Sequence, residues 1–249
     1  MADSAAEPKG RPVVLVHSSD IHIDEDIRPG HYNGLEGLRY VLRAACALDA
    51  NVLLLAGDTF DHGHVPEEIA RQAADILLDA PMPVVILPGN HDPALSGGIL
   101  IRAGIPGVPQ ALVIGHTHPE RLLFADLDLE IIGRPHTSYN DMHPLPDIPT
   151  RSTRWQVIIA HGHFVPPEDW SENAHRSWLI SEKDLQGLDV DYVALGHWDR
   201  AESVGGEHVR AYYSGAPDLA QTVNVIRLDP ASGVSVERHP LDMPFPPRW

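Results

Sequence analysis

Five apolar runs in this chain each stop at a small polar cluster. Val13 to Val16 ends in His17-Ser18-Ser19-Asp20-Ile21-His22, Asn51 to Ala56 in Gly57-Asp58, and Pro83 to Leu87 in Pro88-Gly89-Asn90-His91-Asp92. Trp155 to Ala160 ends in His161-Gly162-His163, and Val190 to Leu195 in Gly196-His197-Trp198-Asp199. Short apolar runs closed by turn residues, the third of them β-branched, predict buried strands. Between the first three, apolar residues recur at helical spacing: Leu35, Leu38, Leu42 and Ala45 from about Gly34, and Ile69, Ala73, Ile76 and Leu77 after Pro66. Pro66 suits the first turn of that second helix, with Glu67 and Glu68 favourably placed against its dipole. The order is strand, helix, strand, helix, strand. Each polar cluster then falls at a strand's carboxyl end, where open α/β sheets place their sites.

The remaining pattern is looser. Ser96 to Pro109, rich in Gly and Pro, reads as loop, Ala111 to Ile114 and Leu129 to Ile132 as strands, and Asp141 to Pro149 as a surface connection. Ser181 followed by Asp184 marks a helix start. Glu207 to Tyr213, Gln221 to Leu228 and Val234 to His239 alternate as a β meander of a second, largely antiparallel sheet.

Composition narrows the class. A chain of 249 residues with 43% hydrophobic content can bury a full core. The expected organisation is a loose tail over residues 1–12 and one domain over 13–249. The formal charge of −17, from 35 acidic against 18 basic residues, repels polyanions. Cys46 is the sole cysteine, read as a small apolar residue on a helix face, so intrachain disulfides and a Cys-rich zinc site are excluded. Met1 to Pro12 holds no apolar leader core, and no run reaches about 18 apolar residues, which predicts a soluble, cytoplasmic chain without a membrane span.

The strand ends supply Asp20 with His22, Asp58, Asn90 with His91, His161, and His197 with Asp199. Each can be read alone as an ordinary turn, but five in succession point to a site. Oxygen and imidazole donors without thiolate suit Mn, Fe, Zn or Mg, and there are too many for one catalytic ion that keeps an open position.

Taken in order, these motifs resemble those of the calcineurin-like metallophosphoesterases. Asp58-Thr59-Phe60-Asp61 and Gly89-Asn90-His91-Asp92 are most similar to the SbcD-type DNA repair nucleases, and Tyr213-Ser214-Gly215-Ala216-Pro217 resembles the turn after their last motif. The resemblance implies an α/β fold, a four-layer αββα sandwich of two mixed sheets flanked by helices, carrying two divalent metal ions. One ion would be held by Asp20, His22, Asp58 and the residue at 199, the other by Asp58, Asn90, His161 and His197. Asp58 would bridge them. His91 would contact the phosphate and help protonate the leaving oxygen. Two such ions about 3.5–4 Å apart clamp a phosphoryl group and activate a shared water as hydroxide for in-line attack.

The chain departs from the family pattern in two places. The last motif, Gly-His-x-His in the family, reads Gly196-His197-Trp198-Asp199 here. The extra carboxylate cancels positive charge at the site and favours harder ions, Mn²⁺ first. Ile114-Gly115-His116-Thr117-His118 reproduces the family string better, yet it comes too early, because no lone-histidine strand end lies between Asp92 and it. His116 and His118 are therefore read as loop residues.

The resemblance implies a phosphoester hydrolase, and the leading expectation is a nuclease-like phosphodiesterase acting on nucleic acid or nucleotide. SbcD-type nucleases carry a further capping region and work with an ATPase partner, whereas this sequence has only a short stretch after Tyr213. That and its acidity keep a small-substrate phosphodiesterase or phosphatase as the alternative. A catalytically silent scaffold of the same fold is the remaining class. His163, Arg134, His136 and Arg176 are candidate substrate contacts whose plainer reading is loop or surface, and Trp170, Trp178 and Trp198 read as core or lining.

Overall fold

A computed structural model describes residues 11–26, 31–169, 176–206 and 209–244. The expected tail therefore falls mostly outside the described residues, as does Trp170. In chain order the elements are β1 (Val13–Ser18), α1 (Gly34–Ala47), β2 (Val52–Ala56), α2 (Glu67–Leu78), β3 (Val84–Leu87), α3 (Ile99–Arg102), β4 (Ala111–Val113), β5 (Arg121–Phe124), β6 (Leu129–Gly133) and β7 (Trp155–His161). They continue with β8 (His163–Val165), β9 (Leu179–Ser181), α4 (Glu182–Gln186), β10 (Tyr192–Gly196), β11 (Glu202–Val204), β12 (Ala211–Tyr213), α5 (Pro217–Ala220), β13 (Thr222–Asp229) and β14 (Gly233–Pro240). Among the described residues, no helix is long and apolar enough to cross a membrane.

The strands build two mixed six-stranded sheets, in the orders β14-β13-β1-β2-β3-β4 and β11-β12-β10-β7-β6-β5, with β8 and β9 as a separate pair. In the first sheet β1 to β4 run parallel and β13 and β14 antiparallel. In the second, β6, β7, β10 and β12 run parallel, and β5 and β11 form antiparallel edges.

The apolar runs have no polar alternation because their strands are covered on both faces. In β2, Leu53 and Leu55 pack toward α1 and α2, while Val52, Leu54 and Ala56 join Val157, Ile159 and Ala194 between the sheets. The outer face of the second sheet is covered by a thinner layer, in which Phe164, Ile180 and Leu185 of α4 pack on Ile158, Val193 and Leu195. At about 1.5–3 kcal/mol per fully buried large aliphatic or aromatic side chain, the three layers dominate the stabilisation. Local signals fix the helix starts: the Asn33 side chain accepts from the Glu36 N–H at 3.0 Å, and Ser181 and Asp184 form a reciprocal capping box.

Three expectations need correction. Ser96 to Pro109 holds α3 and a short 3₁₀ turn at Ile105–Gly107, because Ile99, Leu100 and Ile105 are drawn into the core beside α2 despite the surrounding glycines and prolines. The three C-terminal strands do not form one meander: β12 lies parallel to β10 in the second sheet, whereas β13 and β14 add to β1 in the first. β13 is apolar on both faces, with Val223 toward the helices and Ile226 and Leu228 toward the opposite sheet, so burial places it against the first sheet. The second sheet is accordingly more parallel than expected. β5, unread in the sequence, is a half-exposed edge strand whose Leu123 is 62% exposed.

Candidate metal centre

The strand ends converge at one rim of the sandwich. Parallel pairing continues past β1 and β2: the Asp20 N–H donates to the Gly57 carbonyl and the His22 N–H to the Asp58 carbonyl, each at 3.1 Å. His161 and Gly196 are register partners in the second sheet, so His197 follows one residue beyond. Asp20, His22, Asp58 and His197 hold φ values of 53°, 51°, 52° and 103°. Left-handed backbone costs a non-glycine residue about 1–3 kcal/mol, and here it turns each side chain back toward a common centre.

Glycine permits the close approach of the two sheets. A Cβ on Gly57, whose φ is +92°, would lie 2.1 Å from His161 Nδ1, and one on Gly196 would lie 1.9 Å from the Ala56 carbonyl oxygen.

His161 is fully buried and donates from Nδ1 to the Ala56 carbonyl at 2.8 Å, which directs Nε2 at Asp58 Oδ2, 3.1 Å away, and Asn90 Oδ1, 3.0 Å away. His197 Nδ1 reaches the same Asn90 oxygen at 3.1 Å. Among the described residues, two groups result in which the donor atoms all lie within 4.8 Å of one another: Asp58 with His161 and His197, and Asp20 with His22 and Asp58. Asp58 belongs to both. A third group, His22 with Asp61 and His91, adjoins them through His22.

The electrostatics follow from crowding. Burial alone would raise Asp58 and lower His161, but their mutual attraction and hydrogen bond reverse both directions, leaving the carboxyl depressed and the imidazole raised. Asp20 is pushed up to about 6, chiefly by burial, with the Asp58 charge adding to it. His197 falls to about 3 through burial and the neighbouring His161.

This donor set fits a pair of divalent cations. The carbonyl bond at Nδ1 commits the His161 tautomer and leaves Nε2 as a ligand atom, in the manner of metal-binding histidines. A carboxylate common to two imidazole-bearing groups matches a bridging position, and all donors are oxygen or nitrogen.

The structure thus brings together Asp20, His22, Asp58, Asn90, His91, His161 and His197, drawn from both sheets. Asp199 stands apart: it is exposed, belongs to none of the three groups, and walls a cavity together with His22 and Asp61. His116 and His118 lie in a turn after β4, where the Gly115 N–H donates to the His118 carbonyl at 2.8 Å, and neither belongs to a donor group among the described residues.

Asp61 and Asp92 take roles that strand-end reasoning did not assign. Asp61 places a carboxylate oxygen 3.0 Å from His22 Nδ1, and its backbone carbonyl accepts from His91 Nδ1. Its signal in the sequence is the spacing of three from Asp58 in Asp58-Thr59-Phe60-Asp61. Asp92 does not face the cavity with Asn90 and His91. It is buried, accepts from the Gly89 and Phe60 N–H groups at 2.8 and 3.2 Å, and braces the turn. Burial, with Asp58 nearby, raises it to about 7.

Among the weaker candidates, Arg134 pairs with Asp147 at 2.9 Å, and His136 is buried, with Nε2 donating to the His161 carbonyl at 2.8 Å. Trp198 stacks on Tyr213 with ring centroids 4.5 Å apart. His163, Arg176 and Trp178 line a cavity that opens beside His197.

The sequence profile of the family described as Calcineurin-like phosphoesterase matches residues 13–200. The SbcD subunit of the nuclease SbcCD from Escherichia coli strain K12, and its counterpart in strain O157:H7, are 26% identical over 243 residues, covering 82% of this chain and 60% of the subunit's length. A Staphylococcus aureus protein assigned as a 5′-nucleotidase, solved in complex with alpha-ketoglutarate, superposes at a TM-score of 0.60 with 14% identity, covering 93% of this chain and 54% of that one. TT1561 of Thermus thermophilus superposes at 0.58 with 12% identity, covering 93% of this chain and 100% of its own. At those identities the two structures speak for the fold, which they share.

Proposed function

The chain belongs to the calcineurin-like phosphoesterase family, hydrolases of phosphoester bonds, and on that premise we propose that it cleaves phosphodiesters, as a nuclease-like enzyme, with two divalent cations held around Asp58. The observation that carries the reading is the membership of Asp58 in both donor groups, one completed by Asp20 and His22 and the other by His161 and His197. Asp20, His22 and Asp58 would hold one cation, with Asp199 completing its set from the cavity wall, and Asp58, Asn90, His161 and His197 the other. Manganese suits the all oxygen and nitrogen donors. When bound, the two cations supply Lewis-acid clamping of the phosphoryl oxygens and a hydroxide nucleophile at neutral pH.

The chain's own residues do the rest. His91 stands beside the donor groups, its backbone N–H donating to Asp58 Oδ1 at 2.9 Å and its ring Nδ1 committed to the Asp61 carbonyl. That arrangement leaves Nε2 to meet substrate, and in the imidazolium form its Nε2–H would give the proton to the departing oxygen, a contribution of about 10²- to 10⁴-fold. Asp92 keeps the Gly89 turn closed and so keeps His91 in place. Asn90 is a neutral ligand and preserves positive charge for an anionic substrate.

Nucleic acid or nucleotide is the proposed substrate class, supported by the similarity to an SbcCD nuclease subunit, of which the chain spans 60%. A small-substrate phosphodiesterase is the second reading. It is favoured by the charge of −17 and by the carboxylates of Asp24, Asp61, Asp199 and Asp218 around one flanking cavity, which oppose a polyanion track.

The test is hydrolysis with added Mn²⁺ of bis-p-nitrophenyl phosphate, p-nitrophenyl phosphate and labelled single- and double-stranded DNA. Diester turnover well above monoester turnover supports the proposal, and cleaved DNA selects the nuclease arm. A fully metal-loaded protein inert toward every ester would refute it.

A further inference from the structure

Two cavities flank the donor groups, and their charges are opposite. One, of about 290 Å³, opens beside His22 and carries the carboxylates of Asp24, Asp61, Asp199 and Asp218. The other, of about 350 Å³, opens beside His197 and is lined by His163, Arg176, Ser177 and Trp178. A phosphodiester seated over the shared carboxylate would have the acidic cavity on its His22 side and the other on its His197 side.

A second phosphate on the substrate cannot sit equally well in both. On the acidic side it would meet the carboxylates of Asp24, Asp61, Asp199 and Asp218, like charges that repel it. On the other side it would meet Arg176. Among the described residues, this guanidinium has no carboxylate partner and donates through Nη1 to His163 Nε2 at 2.5 Å. Its remaining N–H groups form the planar fork that matches phosphate.

The floor of the cavity is firmly placed. The Trp178 N–H donates to Asp141 Oδ1 at 2.7 Å, and its indole N–H donates to the Asn140 carbonyl at 3.1 Å. Its backbone lies in the left-handed region at φ 58°, and its ring packs edge-on against His197 with centroids 5.9 Å apart. The aromatic wall therefore sits at a fixed position relative to a residue of the metal centre.

Resting on the phosphodiesterase reading above, we propose that the cavity of His163, Arg176 and Trp178 is an anion subsite that recognises a second phosphate on the substrate, with Arg176 as the specificity-determining residue. The class of substrate selected is a nucleotide or strand end bearing a phosphate on the arm that leaves the metal centre past His197.

Titration calorimetry of the Mn²⁺-loaded protein with thymidine 5′-monophosphate and thymidine 3′,5′-bisphosphate tests this. The bisphosphate is expected to bind about ten- to a hundredfold tighter, the range of one charge-assisted contact. Arg176→Ala should bring the two affinities within about twofold, and Arg176→Lys should retain part of the preference. Equal affinities in the unaltered protein, or a preference that survives Arg176→Ala, overturn the subsite. The outcome is separable from the parent reading: ester hydrolysis without the preference sinks the subsite alone, and the preference without any hydrolysis sinks the catalytic reading alone.

Discussion

The backbone N–H of His197 donates to both carboxylate oxygens of Asp20, at 3.1 and 3.0 Å. The turn after β10 in one sheet is thereby tied to the turn after β1 in the other. Because both residues hold left-handed backbone, the contact is made between two strained turns that support each other. It sets the separation of the two sheets at the rim where the imidazoles of His161 and His197 meet the carboxylates of Asp20 and Asp58.

His91 is the proposed acid and lies outside both groups that contain Asp58. His91→Ala should keep its metal content and lose about 10²- to 10⁴-fold in diester turnover. Metal analysis alongside steady-state kinetics checks it, and full turnover by the variant would remove the acid role.

Asp199 sits on an exposed wall beside His22 and Asp61 rather than within a donor group. A histidine there reaches further and carries no negative charge, so Asp199→His should alter metal occupancy or shift preference toward softer ions. Metal content read by elemental analysis after loading with Mn²⁺ or Zn²⁺ decides the point; unchanged content with unchanged activity means that Asp199 is no ligand.

The turn at Gly115 is closed by its own contacts, with the Val113 N–H donating to Thr117 Oγ1 at 2.9 Å and Thr117 Oγ1 meeting His118 Nδ1 at 2.8 Å. The double variant His116→Ala with His118→Ala should bind metal as before. Loss of both ions would instead make this string the family's last motif.

His17 lies buried between the sheets, where the Tyr192 hydroxyl meets its Nδ1 at 2.9 Å. Burial lowers its pKa to about 3, against an upward pull from the Leu195 carbonyl. The unfolded chain therefore binds the proton first, and stability present above about pH 6.5 is lost as pH falls toward 3, at up to about 1.4 kcal/mol per unit. Denaturation curves between pH 7 and 5 should fall more steeply for the unaltered protein than for His17→Leu. Parallel curves would show that His17 is not the titrating group.

The places where chemistry can occur are written locally in the chain. An apolar run that stops at a Gly turn is a local feature, set by burial on both faces and by the φ freedom of one residue. Asp20, His22, Asp58, Asn90, His91, His161 and His197 can therefore all be read without any knowledge of the fold. The helices of the first sheet are legible for the same reason, through spacing and capping. Which sheet β13 and β14 join is settled by packing, because it depends on whether two apolar faces find cover, and on partners far away in the chain. Packing also draws Asp61 to His22 and His91, turns Asp92 back into its own turn, and sets Asp199 on a wall. Distances of a few ångströms between side chains on different strands arise from sheet pairing and close contact of the sheets, and no run of neighbouring residues encodes them.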